Sequence, residues 1–164
     1  MVVHERLNQA IGLRKVCELE ESNKILLKLV EEFPEDSFLN YQCAWSFDVI
    51  GEETKAVPFY ENAIDLGLSG KDLEGAILGL GSTYRTLGNY EKSKEVFIKG
   101  MDLFPTNKAI QVFYSMTLYN LHEHNHAMEL LLKCLVESSY DTDILSYKKA
   151  IHFYSDKLDQ VWDS

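Results

Sequence analysis

Residues 77–105 read ILGLGSTYRTLGNYEKSKEVFIKGMDLFP. Within them Ile77, Leu80, Gly81 and Tyr84 fall at i, i+3, i+4 and i+7, one face of an α-helix. Gly88 follows, suited to the left-handed residue that closes a helix. Beyond it Ser93, Phe97 and Gly100 mark a second helical face, alternately small, large and small, that admits a close neighbour. Pro105 ends that helix. The stretch predicts an amphipathic helix, a tight turn and a second amphipathic helix.

The same pattern recurs on both sides. Gly51, Gly88 and His122 occupy equivalent turns, 37 and 34 residues apart. Ala56, Ser93 and Ala127 follow each turn by five residues, then come Tyr60, Phe97 and Leu131, then Ala63, Gly100 and Cys134. The first helices repeat as Asn40, Cys43, Ala44 and Phe47, and as Gln111, Tyr114, Ser115 and Leu118. The longer spacing is assigned to a loop at residues 68–72. His122 in a glycine position predicts a strained positive φ. Upstream, Ser22, Leu26, Leu29 and Pro34 carry the second-helix spacing of a partial, divergent unit. Downstream, Asp141 opens a helix expected to run over residues 142–161 and to cap the apolar end. No linker interrupts the chain, so one domain over 1–164 is expected, with a partial repeat at 3–36, repeats at 37–70, 74–107 and 108–141, and the cap.

This pattern resembles the tetratricopeptide repeat family, best in Ile77, Leu80, Gly81, Tyr84, Gly88, Tyr90, Ser93, Phe97, Gly100 and Pro105. The tryptophan typical of the first helix is replaced by Ile77, Asn40 and Gln111. The resemblance implies an all-α fold, a right-handed superhelical stack of helix-turn-helix repeats. It also implies a protein-protein interaction module whose first helices line a concave groove for a partner protein or peptide.

A second stripe on those helices is the candidate partner-binding groove: Phe38, Tyr41, Gln42 and Trp45; Gly75, Leu78, Gly79, Ser82 and Arg85; Val112, Phe113, Met116 and Tyr119. Aromatic groups there offer contact area at low entropic cost. Gly75 and Gly79 are expected to leave a bare apolar notch walled by Tyr41, Trp45, Phe113 and Met116, with Gln42 and Arg85 as polar handles. The Lys, Asn and Arg set with which some family members hold a peptide carboxylate is absent, since Tyr41, Trp45, Gly79, Ala109 and Phe113 stand there. The same stripe is also compatible with a buried face, or with self-association into a homo-oligomer.

Composition narrows the functional classes. The chain has 164 residues, 46% of them apolar, and a net charge of −10 from 16 basic and 26 acidic residues. That balance argues against nucleic acid or an anionic membrane as partner. No apolar run is long enough for a transmembrane helix, and the first residues do not read as a secretory leader. Cys17, Cys43 and Cys134 are dispersed, as expected of reduced, buried thiols in a cytoplasmic protein. His122, His124 and His126 straddle a turn, so no metal site is expected, and no cofactor. Gly75, Gly79 and Gly81 lie in a helical pattern without a following Gly-Lys-Ser/Thr, which argues against a phosphate loop. Without a Gly-x-Ser-x-Gly or another catalytic constellation, an enzyme is the least expected class.

Overall fold

A computed structural model describes residues 2–162. Among them the regular structure is entirely α-helical. The chain runs through α1 (Val3–Lys15), α2 (Leu19–Glu32), α3 (Ser37–Val49), α4 (Glu53–Asp65), α5 (Gly70–Thr86), α6 (Tyr90–Leu103), α7 (Lys108–Asn120) and α8 (His124–Ser138), and α1 packs on α2, α3 on α4 and α7 on α8. Two short helices follow, α9 (Thr142–Ser146) and α10 (Lys148–Tyr154). The helices cluster into two compact units, one ending at Asn89 and the other starting at Tyr90.

The turns that close α1, α3, α5 and α7 use the same device. Cys17, Gly51, Gly88 and His122 all have positive φ, at 65°, 78°, 77° and 61°. After each, the next N–H donates back five residues: Glu18 to Leu13, Glu52 to Phe47, Asn89 to Tyr84 and Glu123 to Leu118, at 2.8–3.0 Å. This satisfies carbonyls that a helix end otherwise leaves open. His122 adopts the positive φ expected of it. Cys17 does the same, which makes α1 and α2 a complete pair.

The first unit buries Leu7, Ala10, Leu26, Leu29, Leu39, Cys43, Ala44, Phe47, Ala56, Tyr60, Ala63, Ile77, Leu80 and Tyr84. In the second, Phe97, Ile110, Tyr114, Leu118, Ala127, Cys134 and Val136 are buried. The small positions are places of close contact. Ser22 Oγ donates to the Ala10 carbonyl at 2.7 Å, and the Ser93 and Thr117 hydroxyls meet at 2.8 Å.

The residues standing where a tryptophan is typical have a structural use. Asn40 is fully buried, and its Nδ2 donates to the carbonyls of Pro34 and Asp36 at 2.9 Å. Gln111 Nε2 donates to the Pro105 carbonyl at 2.8 Å. Both amides tie the preceding proline loop to the helix that follows it. Asp36 and Asn107 cap these helices by accepting from the N–H groups of Leu39 and Ile110.

Two expectations need correction. The longer spacing before Gly88 is not all loop. α5 has 17 residues where α3 and α7 have 13, and Gly70, Lys71 and Asp72 form its first turn. Asp72 there favours helix over loop, because a carboxylate near a helix N-terminus complements its dipole. The helix expected over 142–161 is instead broken at Tyr147 into α9 and α10 and stops at Tyr154. Ser146 and Ser155 each donate a hydroxyl to the carbonyl three residues back, a local bond that competes with helix propagation.

Candidate functional site

In the first unit the second stripe is an aromatic cluster centred on α3. Tyr41 stacks on Trp45 with ring centroids 6.1 Å apart, tilts against Phe38 at 6.3 Å and approaches Tyr60 of α4 at 6.3 Å. Residues four apart share a helix face, which is why Tyr41 and Trp45 meet. Tyr41 is buried, while Trp45 keeps 42% of its surface exposed.

The expected notch over the glycines is filled. A Cβ on Gly75 would overlap the Tyr41 hydroxyl, and a Cβ on Gly79 would overlap the Tyr60 hydroxyl and ring. The glycines therefore make room for this unit's own tyrosines. Each Tyr ring reaches across to the neighbouring helix, a distance that helical spacing along one segment does not reveal. Tyr60 Oη donates to Asp48 Oδ2 at 2.6 Å, and Thr83 Oγ1 donates to Asp48 Oδ1 at 2.9 Å. Burial raises the Asp48 carboxyl above the ordinary range, while these two hydrogen bonds act in the opposite direction. Leu78, Ser82 and Arg85, with Gly75 and Gly79, are half-buried along α5.

Gln42 is not an open handle. It is buried, and its Oε1 accepts from Arg14 Nη2 at 2.6 Å. The Arg14 guanidinium carbon lies 3.9 Å from the Trp45 ring centroid. Burial pushes the pKa of this guanidinium below its ordinary value. Around these groups a surface pocket of about 450 Å³ is lined by Ile11, Arg14, Lys15, Leu19, Gln42, Trp45 and Val49.

Arg14 lies outside the stripe expected from the sequence, yet it shares the repeat phase: Arg14, Asp48, Arg85 and Tyr119 occupy equivalent positions, three residues before Cys17, Gly51, Gly88 and His122.

In the second unit, Val112 and Phe113 are half-buried on α7, whereas Met116 and Tyr119 are exposed. Tyr119 keeps 63% of its surface and lies 4.8 Å from the His124 ring. His122 and His124 rings are 5.6 Å apart, and His126 Nδ1 lies 3.7 Å from Glu123. Among the described residues no group of three or more His, Cys, Asp or Glu side chains is arranged to hold a metal ion. Nor is any helix long and apolar enough to cross a membrane. A second groove, about 560 Å³ and mostly apolar, is lined by Leu132, Asp143, Ile144, Tyr147, Ala150, Ile151 and Tyr154.

The family model described as tetratrico peptide repeat matches residues 37–158. The chain belongs to the tetratricopeptide repeat family. The solved structure of MamA from Desulfovibrio magneticus superposes with a TM-score of 0.76 at 12% identity, covering 96% of this chain and 87% of that one. YrrB, described as a TPR protein with an unusual peptide-binding site, gives 0.70 at 17% identity, covering 93% and 77%. These likenesses extend the tetratricopeptide-type all-α fold over nearly the whole chain. Superkiller protein 3 of Saccharomyces cerevisiae is 28% identical over 102 residues. That match takes in 58% of this chain and spans 7% of the yeast protein's length.

Proposed function

We propose that this protein is an interaction module, a scaffold that binds a protein or peptide through the second stripe of its first helices and does not itself catalyse a reaction. The observation carrying the reading is that Trp45 lies 42% exposed on a stacked aromatic base, in an open pocket. A ring held by its neighbours has little rotamer freedom left to lose on binding, so it anchors at low entropic cost. Met116 and Tyr119 give the second unit an exposed apolar and aromatic strip of its own. Family membership supports the same class of function. The cytoplasm is the proposed location. Burial pushes the Cys43 thiol up to about 12, and Cys134 is also buried, as suits unreactive thiols, whereas Cys17, expected to be buried with them, is exposed because it occupies the positive-φ turn after α1.

Trp45→Ala and Phe113→Ala test the reading against a partner captured from native lysate. Each should weaken binding by about 2 kcal/mol or more, the scale of an interface anchor. Because Trp45 is partly exposed, its removal should cost less than the ~3–5 kcal/mol of a buried aromatic. Binding that survives both substitutions would refute the assignment of the stripe.

A further inference from the structure

We propose that the pocket formed by α1, α3 and the first residue of α2 seats an acidic segment of the partner, with an Asp or Glu carboxylate meeting Arg14 and an adjoining apolar side chain lying on Trp45. The inference rests on the peptide-binding reading above and supplies its chemistry.

The lining divides cleanly. Ile11, Leu19, Trp45 and Val49 give an apolar wall, and the charged lining groups, Arg14 and Lys15, are both cations. In a chain of net charge −10, a pocket lined by positive charge alone stands against the general field and favours an anion locally. Its volume, about 450 Å³, falls within the range of pockets that hold specific ligands.

Arg14 is the decisive group. Its guanidinium is half-buried, stacked on Trp45 and held by one bond to Gln42. Nη1 is buried with no hydrogen-bond partner. Among the described residues no carboxylate lies within ion-pair distance of Arg14, whereas Arg6, on the same helix, pairs with Glu32 at 2.6 Å. A half-buried cation without a counter-charge is costly. A bound carboxylate removes that cost and forms charge-assisted hydrogen bonds to a planar donor set already held in place by the indole. Lys15 beside it can take a second carboxylate, which an acidic segment supplies and a single chain end does not.

Random peptides displayed on phage, panned on the intact protein, provide the probe. Enriched sequences are then synthesised acetylated and amidated, so that side chains carry their only carboxylates. Binding is read by calorimetry and by Trp45 fluorescence in a Trp162→Phe background. Enriched peptides should carry Asp or Glu next to an apolar residue. Exchanging that acid for its amide should weaken binding by roughly tenfold or more, the size of a lost charge-assisted hydrogen bond. Arg14→Gln should weaken binding equally, add little when combined with the amide peptide, and be partly rescued by Arg14→Lys. The peptide exchange keeps the test valid even where Arg14→Gln disturbs the fold.

Peptides that depend on Trp45 yet bind equally well after acid-to-amide exchange would overturn the acidic specificity and leave the groove reading standing. Failure to select any peptide, or selection of peptides indifferent to both Trp45→Ala and Phe113→Ala, would overturn both.

Discussion

His122 and Cys17 occupy a backbone region that costs an L-residue roughly 1–2 kcal/mol, because Cβ crowds the following carbonyl. Glycine serves the same turns at positions 51 and 88 without that strain. His122→Gly should therefore raise stability by about 1 kcal/mol, read as a higher denaturant midpoint with unchanged slope. A lower midpoint would mean that the His122 ring contributes more than its backbone costs. At Gly79 the expected sign is opposite. An added methyl gains helix propensity of ~1 kcal/mol but collides with the buried Tyr60 ring, which Asp48 holds in place. Gly79→Ala should be net destabilising by about 1–3 kcal/mol. Gly75→Ala meets chiefly the free end of Tyr41 and should cost less. Equal melting points for the two variants would contradict this ordering.

At the scale of the element, the first helix of each pair carries both the packing and the candidate site. α5 contributes buried Gly81, and Gly81→Leu should cost about 1–3 kcal/mol or more by overpacking. An unchanged melting midpoint would show that the repeat phase is misassigned. α3 carries a pH response through Asp48. Its carboxyl is raised by burial, so the folded state holds the proton more tightly than the unfolded chain does. Stability from this group is therefore gained as pH falls through the window between the raised folded value and the unfolded value near ~3.9, and lost as pH rises through it. Exposed Glu32 and Glu137 and half-buried Glu123, each lowered chiefly by a hydrogen bond from a basic side chain, act with the opposite sign. The comparison with Asp48→Asn isolates α3. Wild type should gain stability relative to Asp48→Asn between pH 7 and about pH 4, and a gap that shrinks on acidification would reverse the assignment.

For the whole molecule, the runner-up reading is a homo-oligomer that uses the same aromatic stripe on a second copy. Light scattering on the purified chain separates the two. A species of 18.9 kDa leaves the stripe open for a partner. A stable dimer that Trp45→Ala dissociates would favour self-association. Bound metal should play no structural part, since a closed zinc site needs about four ligands. Protein purified without a histidine tag should carry less than about one zinc per chain. Full occupancy, with loss of fold on chelation, would overturn that expectation.

The amino-acid order alone determined the helix pairs, because a helix period of 3.6 and turn residues at fixed spacing are local properties that each segment carries by itself. The pairing of Tyr41 with Trp45 was legible for the same reason: it lies within one helix face. The strain at His122 followed from a missing glycine. What only the tertiary structure decided were contacts between helices. Nothing in the spacing of Gly75 and Gly79 shows that Tyr41 and Tyr60 fill the space above them. Nothing local to Gln42 shows that Arg14, 28 residues earlier, takes up its carbonyl oxygen and stacks on Trp45. Periodicity tells which face a residue lies on. How far a long side chain reaches, and which partner it meets there, depends on the distance between packed helices, and that distance is set only when the pairs close on one another.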